Sequence, residues 1–544
     1  MSACTRSIAS ATMPNRDAEI PAVSDKAAQP SSRLVRDSAV VGAATILSRL
    51  LGFARDVLIA RLLGAGPVAD AFLAALRLPN LVRRVLGEGG LNAPFVPLYL
   101  EIKAERDEEA ARRFAGEASA QLGVLLIVLV GLGELFAPWL VLGLAGGFAD
   151  EPATLALAAQ YTRLMLPFLL LTTMAALLAA LLNAEKHFAI AAIAPALMNA
   201  ILLGVLLTML WTGSPPETGA SVLAASVSLT GLAHLAMIVI RLRSTGLPRL
   251  SLRWSPDMTR LIRTGGATLL AASAAQLVLL VATQIASAEP GSVAALYYAD
   301  RVFQLPLGFV GVAMGTVVLS DMAAAQATTA EHDAMLGRAL ALGLALGVPA
   351  ATALAALAGP IVSVLFEHGR FGAEDRDRTE AALRAFAYGL PFAVVAKVLG
   401  QVYFARQTPR PALIAGLAAV LIAVVVGLIA GSRGNAAEVA ALAASFAFLV
   451  QAGLTAYFLR RDGLWRPSAG NLRPILAVFV ASAAMLAALI LILPVVSGPL
   501  GLEQPTLHRI AALAGLCLAG LLVYGLAGLV LGAFGPRHLR RRQV

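Results

Sequence analysis

Ser48-Arg49-Leu50-Leu51-Gly52-Phe53-Ala54-Arg55-Asp56 is followed by Arg61, Asp70, Arg77 and Leu78-Pro79-Asn80-Leu81-Val82-Arg83-Arg84, which leads to Glu88. These charges fall in the first two apolar segments of a 544-residue chain that is 59% hydrophobic and 14% charged. A soluble domain carries about 25% charged residues. Apolar runs of roughly 20 residues, enough to cross about 30 Å of hydrocarbon, recur from end to end. The expected class is an all-α polytopic membrane protein. Aromatics are only 6% and strict alternation is lacking, which argues against a membrane β-barrel. An Arg or Asp at the centre of a lipid-facing helix costs about 2.5–3.5 kcal/mol, so several together cost roughly 10 kcal/mol or more. The charges must therefore face a watery, protein-lined cavity. A cationic cavity binds something anionic.

Working outward, fourteen transmembrane segments are expected, near 37–63, 68–99, 118–145, 153–182, 188–211, 219–241, 262–288, 292–322, 336–366, 380–405, 411–431, 437–459, 473–494 and 508–534. Loops alternate in charge. Six arginines lie between Arg241 and Arg263, and more at Arg460-Arg461, Arg473 and Arg540-Arg541-Arg542. The opposite loops are neutral or acidic, at Ala65-Gly66, Asp150-Glu151, Glu217 and Glu289. The positive-inside rule then places both termini in the cytoplasm. The pairs Leu78-Pro79 and Leu305-Pro306, Pro138 and Pro360, and Pro167 and Pro391 recur at offsets of 222–227 residues. This predicts two six-helix lobes of like orientation, at 37–243 and 262–460, related by an axis along the membrane normal. Residues 244–261 read as a basic cytoplasmic linker, and 473–534 as two extra helices. Residues 1–36 read as a disordered tail and 535–544 as a basic one. Prolines 79, 167, 195, 306 and 391 bend their spans, either as ordinary kinks or as hinges for rocking lobes.

Arg49 and Asp56 share one helix face two turns apart, and Asp70, Arg77 and Arg84 repeat at seven. Asp56 and Asp70 are expected to pair with neighbouring arginines. Arg61 is open to a snorkelling reading, and Arg83 and Arg84 to a cytoplasmic anchor. The second half offers Tyr297-Tyr298-Ala299-Asp300-Arg301 before Gln304. Arg301 faces the first-half cluster if the lobes are pseudosymmetric, or else pairs locally with Asp300. Lys397, one of four lysines, either reaches the cavity or snorkels. Guanidinium forks make two parallel charge-assisted bonds to phosphate, and several at one depth suit a diphosphate.

The net charge of +10 sits in loops and in this cluster, with no basic stripe interleaved with aromatics, so nucleic acid is excluded as a partner. Two cysteines, Cys4 and Cys517, give no disulfide framework, and six scattered histidines give no metal site. There is no Gly-Lys for a Walker A loop and no nucleophile motif. The chain reads as a non-enzyme without a cofactor, drawing on an ion gradient, the membrane potential or the substrate's own gradient.

The run 48–56, with Gly64-Ala65-Gly66, Ala69-Asp70-Ala71-Phe72, Leu78–Arg84, Glu88-Gly89 and Phe95-Val96-Pro97, closely resembles the MurJ (MviN) family. Tyr297–Arg301 and Lys397-Val398-Leu399 extend the likeness into the second half. The family belongs to the multidrug/oligosaccharidyl-lipid/polysaccharide exporter superfamily. The resemblance implies two six-helix lobes around a central cavity, and two added helices forming a groove for a polyprenyl tail. It implies flipping of lipid II, the undecaprenyl-diphosphate peptidoglycan precursor, across the bacterial inner membrane, with cell-wall proteins as candidate partners. It places essential cavity arginines at Arg49, Arg55, Arg83 and Arg301, the matching acid at Asp70, and Arg77 at a basic position. Gln304 departs from the family, where relatives often carry an acid, and no sodium site carries over. Two other readings are an exporter of another lipid-linked oligosaccharide or a drug on the same scaffold, and a non-transporting scaffold for cell-wall enzymes.

Overall fold

The apolar segments fold as helices because hydrocarbon offers a backbone no other hydrogen-bond partner than itself. The computed structural model of the protein describes residues 32–82, 92–185, 188–244, 246–322, 329–406, 408–431, 435–466 and 472–533. Among the described residues the structure is all-helical, without strands. Among the described residues ten helices are long and apolar enough to cross a membrane. The helices α1 (Ser32–Leu63), α2 (Pro67–Val82) and α10 (Ser292–Met322) are not among them. These three carry all the described residues of the charged constellation except Lys397.

The observed helices depart from the expected segments in three places. α1 begins at Ser32, so the last residues of the expected tail are helical. Within segment 68–99 the described helices are α2 (Pro67–Val82) and α3 (Asn92–Glu105). Arg83, Arg84 and Glu88 lie between them, outside the described residues. Segment 118–145 breaks into α4 (Glu108–Leu135) and α5 (Ala137–Leu144). Segment 336–366 breaks alike into α11 (Thr329–Ala356) and α12 (Ala358–Phe366). Pro138 and Pro360 each stand in the first turn of the short helix, where a missing N–H is no loss. The recurring proline thus marks the same break twice. Pro167 and Pro391 likewise lie inside α6 (Pro152–Ala184) and α13 (Ala373–Ala405).

Two helix groups follow. In the first, α6 packs on α2, α4 and α8 (Pro216–Arg243), while α1 packs on α7 (Phe188–Trp211). In the second, α13 packs on α10, α11 and α15 (Ala436–Arg461), with α14 (Arg410–Ala430) between α15 and α9 (Pro256–Ala286). A third unit, α16 (Leu472–Leu500) with α17 (Thr506–Leu531), leans on α11 and α12. Leu357, Met485, Leu489, Leu516 and Tyr524 form its seam.

Arg509, only 2% exposed on α17, fastens that unit. Its Nη2 donates to the Ser363 carbonyl at 2.9 Å and to Ser363 Oγ at 2.7 Å. Ser363 in turn donates to Glu367, which pairs with Arg376 of α13 at 3.2 Å. Arg509→Met leaves those buried acceptors without their donor, at a cost of about 1–3 kcal/mol. A lower thermal midpoint in detergent with unchanged helix content is the expected result.

The segment read as a linker is a strap laid along α4. Gln121 Nε2 donates to the Arg253 carbonyl at 2.8 Å. A Cβ on Gly116 would lie 1.9 Å from the Arg249 carbonyl oxygen, so only glycine lets the strap approach this closely. Beyond it, Met258 and Leu261 of α9 join Phe95, Tyr99, Phe114 and Ile238 in the first group's own core.

Candidate functional site

Asp56 of α1 is buried and is shared by two guanidinium groups from opposite helix groups. Arg55 donates to Oδ1 through Nε at 3.0 Å and Nη2 at 2.7 Å. Arg301 of α10 brings its Nε to 3.0 Å from Oδ2, with the N–H misdirected, so this contact is ionic rather than a hydrogen bond. Tyr297, one turn before Arg301, donates to Asp56 Oδ1 at 3.3 Å. Its hydroxyl accepts from Arg301 Nη2 at 2.6 Å, and its ring lies 4.5 Å from the guanidinium carbon. Arg55 also donates to Asn199 Oδ1 of α7 at 3.0 Å, and Asn199 donates to the Ser48 carbonyl at 3.0 Å. Sequence reasoning missed Asn199 and gave Tyr297 no role. A lone amide in a wholly apolar span, and a tyrosine four residues before an arginine, were the available signals.

The two arginine side chains keep 16% and 20% of their surface exposed. One carboxylate therefore holds two like charges together without covering them. Arg301 does not take its neighbour Asp300 as partner. Adjacent helix residues diverge by about 100°, and Asp300 accepts instead from Gln304 Nε2 at 2.5 Å, one turn on.

Arg49 and Lys397 add two cations further along. The Arg49 Nη1 lies 2.6 Å from where a Cβ on Gly308 of α10 would sit. Lys397 Nζ donates to the carbonyl of the preceding residue, Leu307, at 3.5 Å. Both side chains are exposed. Gly308→Val is expected to push Arg49 off α10, leaving the fold intact because the displaced atom ends a flexible chain. Weakened diphosphate binding with an unchanged thermal midpoint checks this.

Two expected members stand elsewhere. Arg77 donates to the Leu279 carbonyl of α9 at 3.4 Å, away from Asp56. Asp70 was expected to pair with an arginine. Instead its buried carboxylate accepts from the backbone amides of Gly291 at 2.5 Å and Ala294 at 2.7 Å. A first-group acid thus caps the N-terminus of a second-group helix, where free amides and the helix dipole favour negative charge.

That cap belongs to a seal across one end of the molecule. Gly291 (φ 83°) and Gly64 (φ 68°) both adopt left-handed backbone. A Cβ would meet the Ala65 carbonyl oxygen at 2.4 Å from Gly291 and the Arg370 carbonyl oxygen at 2.7 Å from Gly64. Tyr298 donates to the Gly64 carbonyl at 2.9 Å, Arg370 N to the Arg61 carbonyl at 3.1 Å, and Ala65 N to Asp375 at 3.3 Å. Gly146 donates to Gln284 of α9 and Gly147 to Ser287, which follows the last residue of α9. Asp56 lies eight residues before Gly64, about 12 Å below this seal. Away from the seal, Leu50 on α1 and Phe309 on α10 are exposed. The cationic cluster therefore sits just under a closed end, and the basic loops lie at the other.

The MurJ family, described as lipid II flippase MurJ, matches residues 59–505. The probable lipid II flippase MurJ of Rhizobium meliloti (strain 1021) is 35% identical over 522 residues, covering 93% of this chain and 96% of its own length. The chain belongs to the MurJ family of lipid II flippases. The lipid II flippase MurJ of Burkholderia cenocepacia is 30% identical over 94% of this chain and 99% of its own. A solved structure of lipid II flippase MurJ in an inward closed conformation matches with a TM-score of 0.75 at 23% identity, over 92% of this chain and 100% of that one. An inward-facing MATE family transporter of the MOP superfamily matches with a TM-score of 0.62 at 15% identity, over 78% and 98%. These two likenesses bear on the fold. As a MurJ family member with ten span-length apolar helices, the chain is a multi-pass protein of the cytoplasmic membrane.

Proposed function

We propose that the chain moves lipid II from the inner to the outer leaflet by alternating access, with the diphosphate held by Arg55 and Arg301 and met first by Arg49 and Lys397. The observation that carries this reading is the sharing of Asp56 by guanidinium groups from both helix groups. A bound diphosphate offers each arginine a second anionic partner, so it bridges the two groups in a way that Asp56 alone does only weakly. Asp56 keeps the forks oriented while the site is empty. Asp300, Arg77, Arg83 and Arg84 belong to the wider cavity in this proposal, and Asp70 serves the seal.

The sealed end faces outward and the basic loops and both termini face the cytoplasm, giving fourteen spans. The groups 37–243 and 262–460 rock about the site, and α16 with α17 guides the polyprenyl tail. No bond is made or broken, so the activity is transport rather than catalysis, and it runs on an ion gradient, the membrane potential or the substrate's own gradient without a cofactor. Nucleic acid is no partner. Membrane lipids surround the chain, and cell-wall synthesis proteins are its protein partners.

The test is depletion of the chain in living cells, reading which leaflet holds lipid II. Rescue by the unaltered chain but not by Arg49→Ala or Arg301→Ala, at equal protein levels, is expected. Normal outer-leaflet lipid II with Arg301→Ala would overturn the site.

A further inference from the structure

The strap at residues 246–255 presents a surface that neither the cavity nor the seal uses. Its backbone is extended and pinned against α4 at Gly116 and Gln121. Alternate residues of an extended chain point the same way. Leu250, Leu252 and Trp254 are such a set, and they are 71%, 68% and 61% exposed. Three large apolar side chains in a row, turned away from the protein, are costly in water.

Their level along α4 says what covers them. The helix is polar from Glu108 to Gln121 and apolar from Leu122 to Gly133. Its outward-facing aliphatics begin at Val124, with Leu125, Ile127 and Val128 following. The Arg253 carbonyl is fixed at Gln121, so Trp254 sits where the protein passes from water to hydrocarbon. Ile262, two turns into α9, is exposed and marks the same boundary on the neighbouring helix. Trp254 holds its indole N–H to Thr259 Oγ1 at 2.8 Å and leaves the ring surface free. Tryptophan at such a boundary prefers the headgroup layer.

Two of the cations near the strap already have acidic partners. Arg260 is taken up by Glu101 at 2.6 Å, and Arg106 with Asp257 at 2.9 Å closes a second pair. Arg249 and Arg253 make no ion pair among the described residues, and both are exposed. Arg249 and Arg253 fall on the other alternate set, so their exposed guanidinium groups flank the leucines and the tryptophan and suit negatively charged headgroups beside acyl chains. A neutral bilayer satisfies the leucines but not the arginines.

We infer that residues 246–255 form a membrane-surface anchor that inserts Leu252 and Trp254 into one leaflet, with Leu250 at the headgroup edge, and gathers anionic phospholipid through Arg249 and Arg253. Each free arginine at such a surface favours an anionic lipid by about fivefold. Because the strap is fixed to α4, the anchor holds the first helix group at a set depth. The inference does not depend on which lipid the cavity transports.

The experiment uses the full chain with Trp139→Phe, Trp211→Phe and Trp465→Phe, leaving Trp254 as the single tryptophan. It is placed in nanodiscs containing brominated phosphatidylcholine or, at equal mole fraction, brominated phosphatidylglycerol. Trp254 emission should be quenched by both lipids, and severalfold more by the anionic one. High salt should narrow that difference. Adding Arg249→Gln and Arg253→Gln should equalise the two lipids while Trp254 remains quenched. Quenching by iodide but by neither brominated lipid would place the strap in water or under a protein partner and overturn the anchor. Equal quenching by the two lipids in the parent chain would overturn the charge recognition.

Discussion

Asp56→Asn is expected to stop transport while leaving the chain folded and at normal levels in the membrane. The asparagine keeps the size of the side chain but removes the one negative charge between Arg55 and Arg301. Breaking a buried pair by deleting one partner costs 3–5 kcal/mol, and the partial exposure of both arginines reduces this to about 2–3 kcal/mol. That is enough to drive the two guanidinium groups apart by rotamer change. A diphosphate then meets two diverging forks instead of a converged pair, and bidentate binding is lost. Outer-leaflet lipid II should fall by roughly two orders of magnitude in rate. Transport near the unaltered rate in Asp56→Asn would mean that the shared carboxylate is incidental.

The second large effect belongs to the seal. Asp70→Asn exchanges a carboxyl whose two oxygens each accept from a buried amide for a group whose NH2 side faces an N–H. Mis-satisfying such buried donors costs about 1–3 kcal/mol. Nearly all of it falls on the closed arrangement, because the capped helix end belongs to the other group. The ratio of closed to open molecules should drop between about fivefold and a hundredfold. Spin labels at Ala153→Cys and Ala373→Cys, on exposed first turns of α6 and α13, report the separation of the two groups at that end. A broadened, longer distance distribution in Asp70→Asn is expected. An unchanged distribution would show that the cap is not what holds this end shut.

The two acids also show what a one-dimensional reading can and cannot reach. Asp56 was legible because its first partner is adjacent and its second, Arg301, was already marked by the cost of a charge in a span. Asp70 was misread because its partners are backbone amides 221 and 224 residues away, and backbone carries no letter in the sequence. The seven-residue spacing to Arg77 correctly put both on one face of α2. Facing the same way did not make them partners, since Asp70 lies at the helix start under the seal and Arg77 points to α9. The proline repeat aligned Pro138 with Pro360, but the α4–α5 and α11–α12 breaks were not foreseen, because hydropathy read each pair as one span. A break filled with apolar residues leaves no trace in hydropathy. The family likeness fixed the transport class, which no feature of the residues alone would have narrowed to one lipid.

The strap is pinned along α4 and the first turns of α9 are built into the core of the first group, while α9 further on packs on α14 and α15. Among the described residues the connection between the halves is held rather than slack. Any reorientation must be absorbed as flexure of one continuous helix, and Gly265-Gly266 is the softest place along it, since two successive residues there lack the side chains that stiffen a helical rod.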